Sequence, residues 1–311
     1  MTKHAIAILC SDLHLSHAAP FMREQRTWYN TMTSYLEQLR RLTSVYDECP
    51  IVCAGDVFDH WKSCPELVNF ALEHLPDMYA VPGQHDLAHH SYDDIERTAY
   101  WTLVKAGKIR NLKENEAVRV PGGWDLTLWG FPWGSEVSGV ARTADETTIH
   151  LAVIHHYLWK DNQTSFKGAP SESKTSMWIR KLEGYDAAVF GDNHKGFSTK
   201  IGETNVINCG GFIRRKIDET DYDPRVGILW SNGVITKHFL DTSSDFFIGE
   251  PTRKNLEREH HFNANDFLRG LRSLGEHSLD FNEAINHYIS KHNIKGELRR
   301  ILIEATELFG G

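Results

Sequence analysis

Five hydrophobic runs between residues 6 and 194 each end in a short turn bearing carboxylate, imidazole or amide side chains, and no other feature restricts the fold as tightly. In Cys53-Ala54-Gly55-Asp56-Val57-Phe58-Asp59-His60, the apolar run Ile51 to Ala54 stops at a glycine and drops two carboxylates into the loop beyond. Gly-Asp pairs punctuate loops in every kind of protein, so this turn alone says little. Four other runs follow the same plan. Asp12-Leu13-His14 follows Ile6 to Cys10, and Gly83-Gln84-His85-Asp86 follows Met78 to Val81. His155 follows Leu151 to Ile154, and Gly191-Asp192-Asn193-His194 follows Ala187 to Phe190. Parallel strands would gather these five turns at one rim, where so many anionic and metal-ligating groups make sense only around strong positive charge.

The remaining pattern is that of an α/β protein. Met22 to Tyr46 reads as a helix with Trp28, Met32, Tyr35, Leu36, Leu39 and Leu42 on one face. Pro65 opens a short helix over Glu66 to Leu75, where proline is tolerated. Asp94 to Gly107 also reads as helix. Short alternating strands then follow (Ala117 to Val120, Asp125 to Trp129, Thr148 to Ile154), implying a second sheet packed on the first. Trp129, Phe131 and Trp133 alternate at period two, as sheet-face core would; the other reading is substrate stacking. Residues 157–185 form an unusually long polar connection with Lys160, Lys167, Lys174, Arg180 and Lys181, mobile or functional. Strands Val226 to Trp230 and Val234 to Phe239 close the sandwich. The expected division is a sandwich over 1–240, a charged linker over 241–262, and three amphipathic helices within 263–311 that either cap the sandwich or receive a partner.

With 311 residues, 41% of them hydrophobic, the chain can bury a sizeable core. The apolar run Ala5 to Cys10 is too short for a signal segment and no stretch approaches a membrane span. Five cysteines, an odd number without metal-type spacing, suit reduced thiols, and a cytoplasmic location is expected. A net charge of −8 argues against a broad nucleic-acid surface. That objection weakens if Asp12, Asp56, Asp59, Asp86 and Asp192 surround bound cations, which dominate their local field.

Oxygen and imidazole donors at strand ends suit Mn, Mg, Fe or Zn. One site would take Asp12, His14, Asp56 and His194; the other would take Asp56, Gln84, His155 and Asp192, with Asp56 shared. Two cations about 3.5–4 Å apart activate water and neutralise phosphoryl oxygens, the chemistry of phosphoester hydrolysis. His85 is left over as a proton donor to a leaving group, with Asp59 as its orienting partner and Asp86 as a lesser candidate. Lys195 and the triplet Arg214-Arg215-Lys216 offer positive charge to a phosphate backbone or to solvent. His60, His156, His4, His17, His74, His89 and His90 read as surface or core histidines.

The series Asp-x-His, Gly-Asp-x-x-Asp, Gly-x-His-Asp, His and Gly-x-x-His, in this order over residues 12 to 194, resembles the calcineurin-like metallophosphoesterases. The flanking segments CSDLHLSH, AGDVFDHW, WTLVKAGKIRNL and LWGFPWG are most similar to the SbcD-type nuclease subunits of DNA double-strand-break repair complexes. The resemblance implies a four-layer α/β/β/α sandwich and a di-manganese centre on the residues above. It also implies His85 as the acid, cleavage of DNA phosphodiesters by metal-activated water, and a C-terminal segment that docks an SbcC-type, SMC-like ATPase; homodimers occur in the family. Two positions depart from its pattern: Gln84 stands where asparagine is usual and Asp192 where histidine is usual. Gln84 keeps the amide oxygen on a longer arm and Asp192 adds a carboxylate, so the altered second site is richer in oxygen, favouring Mn or Mg, with Fe an option, over Zn. A stand-alone phosphoesterase acting on nucleotides or small phosphodiesters is the alternative enzyme, and a scaffold with a degenerate second site is the alternative of another class.

Overall fold

In the computed structural model, residues 3–142, 147–216, 219, 221–245 and 247–248 are described. Two six-stranded sheets form the body. The first runs β12 (Ile235–Phe239), β11 (Arg225–Trp230), β1 (Ala5–Cys10), β2 (Ile51–Cys53), β3 (Met78–Ala80) and β4 (Ile109–Asn111). The second runs β5 (Ala117–Arg119), β6 (Leu126–Phe131), β7 (Ile149–His155), β8 (Ala187–Gly191), β10 (Thr204–Asn208) and β9 (Phe197–Ile201). β1 to β4 are mutually parallel, as are β6, β7, β8 and β10. In-register pairs such as Cys10 with Cys53, and His155 with Gly191, therefore bring successive strand ends to a common rim.

Parallel strands covered on both faces are apolar throughout, not alternating, and all of β1 and β8 is buried. Ile6, Leu9, Val52 and Val81 from the first sheet share one core with Leu128, Leu151, Val153 and Val189 from the second. The outer face of the first sheet is covered by α1 (Gln25–Val45), α2 (Pro65–His74) and α3 (Ala99–Lys105). α1 buries the six residues its periodicity singles out, and each of its Leu and Met side chains contributes roughly 1.5–3 kcal/mol. On the outer face of the second sheet, Leu158, Trp178, Leu182 and Tyr185 pack against Phe131, Ile154 and Phe190. Among the described residues this layer is built from the 157–185 connection and its 3₁₀ turns Ser171–Ser173 and Thr175–Met177, so the long segment is a structural lid on the sheet.

Three expectations are corrected. The helix over 94–107 is a 3₁₀ turn, Tyr92–Arg97, followed by α3, because Thr98 breaks the run and caps the new helix by accepting from Trp101 N at 3.2 Å. Trp133 does not join Phe131 in the core: Pro132 follows the end of β6, and the indole is 36% exposed. Within the expected linker, residues 241–245 and 247–248 are not free. The Asp245 side chain, 1% exposed, pairs with Arg23 and Arg214 and accepts from the Tyr35 hydroxyl, and Ile248 N donates to Met22 O. The first compact unit accordingly spans Met1–Gly249. The helices expected within 263–311 fall outside the described residues. Among the described residues, no helix is long and apolar enough to cross a membrane.

Candidate metal centre

The loops after β1 and β2 are zipped together by backbone hydrogen bonds from Asp12 N to Gly55 O, His14 N to Asp56 O and Leu15 N to Val57 O, at 2.9–3.0 Å. A third loop is fastened by Asp86, whose buried carboxylate accepts from Val57 N, Phe58 N and Gly83 N. Burial and the Asp56 charge push its pKa up to about 7 despite those donors. Asp86 thus holds backbone and does not orient His85. Asp12, His14, Asp56 and Asp192 all take left-handed φ values, between 44° and 74°. Non-glycine residues adopt this conformation at a cost, and it clusters where the surrounding structure demands a particular side-chain aim.

Asp12 and Asp56 lie at the heart of this convergence. Asp12 Oδ1 accepts from Asp192 N at 2.9 Å, and Asp56 Oδ1 accepts from His85 N at 2.9 Å. The second oxygen of each is buried without a hydrogen-bond partner. Asp56 Oδ2 is 3.6 Å from His14 Nε2 and 3.5 Å from His155 Nε2, equally placed toward either flank. On one flank His14 Nε2 and His194 Nε2 face each other at 3.0 Å. On the other, Gln84 Oε1 lies 2.5 Å from His155 Nε2, while Gln84 Nε2 donates to Asp192 Oδ1 at 2.8 Å. Asp12 groups with His14 and His194, and also with Asp56 and His155, so both aspartates serve both flanks. Sequence reasoning identifies only Asp56 as shared.

Buried polar atoms are normally satisfied. Two orphaned carboxylate oxygens facing converging imidazole nitrogens are therefore a donor set that fits divalent cations. The ring orientation agrees: His155 Nδ1 donates to Ala54 O at 2.6 Å, which directs Nε2 inward. Space is equally specific. A Cβ at Gly83 would overlap the Asp56 carboxylate, one at Gly55 the His155 ring, and one at Gly191 both Ala54 O and that ring. Without cations, burial disfavours charge on every group here, and neighbours decide the outcome. His155 is pushed up to about 10 by Asp56 against its own desolvation, and desolvation pushes His194 down to about 3. Desolvation raises Asp12 to about 6, whereas the histidines around Asp56 overcome its burial and hold it well below the usual carboxylate range.

Asp59 behaves differently from expectation. Its backbone carbonyl accepts from His85 Nδ1 at 2.7 Å, while its carboxylate sits 3.3 Å from His14 Nδ1 and 2.7 Å from Arg215 Nη1. The residue orients His85 through its main chain and braces His14 through its side chain. Sequence spacing carries no signal for the Arg215 contact. Arg214 is committed to Asp245, and Lys195 donates to Ser165 O at 2.8 Å. A cavity of about 470 Å³ opens over the centre, lined by His85, His194, Arg215 and Lys216 and by Phe21 and Met22, which no motif singles out.

A model of the calcineurin-like phosphoesterase family matches residues 7–196. No curated protein matches by sequence. Among solved structures, similar chains include a sulfate thiohydrolase, SoxB, from Thermus thermophilus (12% identity, TM-score 0.47, covering 83% of this chain and 60% of that one). Others are a putative 5'-nucleotidase from Staphylococcus aureus (12%, 0.45, 83% and 58%) and an archaeal phosphodiesterase (12%, 0.40, 77% and 100%). The chain thus spans about 60% of the length of the first two.

Proposed function

This chain belongs to the calcineurin-like phosphoesterase family, and from that premise we propose that it is a metal-dependent nuclease hydrolysing DNA phosphodiester bonds. The observation that carries the hydrolytic part is the pair of unpartnered buried oxygens on Asp12 and Asp56, met from two sides by His14 with His194 and by His155 with Gln84. The nucleic-acid part is supported by the SbcD-like segments and by Arg215 and Lys216 at the mouth. Asp12, His14, Asp56 and His194 would hold one cation, and Asp56, Asp12, Gln84, His155 and Asp192 the other. Bound there, two divalent cations would acidify a water and offset negative charge on the phosphoryl group. The oxygen-rich second set favours manganese or magnesium.

The protein's own contribution is positioning and proton handling. With Nδ1–H fixed on the Asp59 carbonyl, His85 presents Nε2 toward the cavity, where its protonated form can give a proton to the leaving oxygen. Lys216 adds charge for the phosphate, while Arg215 keeps Asp59 ionised and His14 in place. An SbcC-type ATPase docking on residues 263–311, a homodimer and a cytoplasmic setting belong to the same proposal. The setting is supported by five free cysteines.

The test is manganese-dependent degradation of defined DNA ends by the full chain. In His85→Ala, activity should fall at least about 100-fold with metal content unchanged; activity that survives removes His85 from the mechanism. The second reading, a hydrolase of nucleotides or small diesters, is favoured by the size of the cavity, about 470 Å³, which suits a single small ligand. Hydrolysis of a chromogenic diester with no action on DNA of any form would select it.

A further inference from the structure

We infer that a second cavity, beside the metal centre and separate from its phosphate-facing mouth, takes an unpaired nucleobase, with Trp133 and His90 as its stacking platform. This inference rests on the nuclease reading for its setting and deepens it by naming what lies next to the scissile phosphate. The cavity has a volume of about 550 Å³, ample for one base with its sugar. His90 and Trp133 form one wall, their rings 5.6 Å apart and tilted by 47°. Trp133 is 36% exposed, so part of its aromatic surface is available at the cavity.

This wall is bolted to the loop that carries Gln84 and His85. Trp133 N donates to Pro82 O at 3.1 Å, and His90 Nδ1 lies 3.2 Å from the Gln84 carbonyl. The platform is therefore set at a fixed offset from a metal-ligand candidate and the proposed acid. Rings continue beyond it: His89 adjoins His90 in the chain, Trp61 is 5.7 Å from His89, and His60 stacks on Trp61 at 5.5 Å. Asp59, which supports both His85 and His14, immediately precedes His60. His89 and His90 take consecutive left-handed conformations, φ 54° and 57°, and both residues are exposed. Strain of this kind in two adjacent non-glycine residues marks a place where side-chain direction matters more than local comfort.

The rest of the lining includes Asp93 and Glu114, acceptors suited to the amino groups of a base, and Lys113, a donor suited to ring nitrogens, carbonyl oxygens or the adjoining phosphate. Aromatic faces hold bases with little regard to sequence, provided those bases are not already stacked in a duplex. A frayed end or single strand meets that condition.

The experiment measures equilibrium binding by fluorescence anisotropy. It uses the metal-loaded full chain, a hydrolysis-resistant phosphorothioate single strand, and the same strand made abasic at successive positions. Trp133→Ala should weaken binding of the intact strand about tenfold, the scale of one base–aromatic stack, and leave the fully abasic strand unchanged. Trp133→Phe should restore most of the loss, and His90→Ala should reproduce a part of it. Equal losses on intact and abasic strands, or no loss in either alanine variant, would overturn the inference. A parallel titration with deoxyadenosine monophosphate identifies the source of the base: Trp133-dependent binding of the nucleotide as tight as that of the strand assigns the pocket to free nucleotides, and tighter binding of the strand assigns it to DNA. Because nothing is cleaved, an enzyme inert on DNA would sink the nuclease reading while leaving this measurement to stand or fall alone.

Discussion

Around Asp12 and Asp56 the chain offers imidazole on one flank and oxygen on the other. His14 and His194 meet nitrogen to nitrogen, and His14 is braced from behind by an Asp59–Arg215 ion pair. His155 instead meets an amide whose two ends are both engaged, one on the imidazole and one on Asp192. The first flank thus imports its rigidity from an outer ion pair, whereas the second satisfies its donors internally and must surrender a contact when it loads. Two sites sharing two carboxylates are expected to differ in affinity, metal preference and response to pH.

The most severe way to break this comparison is Asp56→Asn, which removes the charge both flanks share. Since loss of an outer partner alone costs about 10–100-fold in metal affinity, removal of a shared ligand should cost at least about 100-fold at both sites. Metal content by mass spectrometry should drop toward zero of two; retention of one ion would show that Asp12 alone defines a flank. Asp59→Ala sharpens the contrast, because it frees His14 and leaves His155 untouched. Titration should show one site weakened by about 10–100-fold and the other unchanged.

Acidity separates the flanks more gently. The metal-free His155 imidazole, raised to about 10, carries a proton throughout the neutral range and must lose it to coordinate; on the other flank His194, lowered to about 3, is already neutral, while His14, despite its desolvation, is raised by Asp59, Asp56 and Asp12. Affinity at the oxygen flank should therefore rise about tenfold per pH unit up to roughly pH 10. Calorimetry in buffers of different ionisation enthalpy should record the released proton, and pH-independent binding would contradict the assignment of His155. Below pH 6 protonation of Asp12 should weaken both sites further. The smallest effect belongs to Gln84→Asn. Shortening the arm breaks the bond to Asp192, worth about 1 kcal/mol or about fivefold at the second site, with no change at the first.

What the sequence makes legible follows from how local each signal is. The ends of β1, β2, β3, β7 and β8 are readable because glycine, acid or, after Leu151 to Ile154, histidine stops an apolar run, and α1 because Trp28 to Leu42 repeat at helical spacing. The Asp59–Arg215 pair spans 156 positions and the Asp245–Arg23 pair 222, so no window of sequence contains them. Trp133 misleads for a smaller reason: alternation continues on paper for one more residue after Pro132 has taken the chain out of the sheet. Asp59 is misread because spacing predicts proximity to His85 but cannot tell whether main chain or side chain makes the bond.

The three glycines packed against Asp56 and His155 have a consequence for engineering. Donor atoms at the rim are exchangeable in kind, as an amide and a carboxylate at Gln84 and Asp192 illustrate, yet Gly55, Gly83 and Gly191 leave no volume for even a methyl group. A saturation library built on this scaffold would accordingly tolerate new ligands before it tolerated alanine at those three codons, and attempts to retune the enzyme for another cation should randomise the coordinating positions and leave the glycines alone.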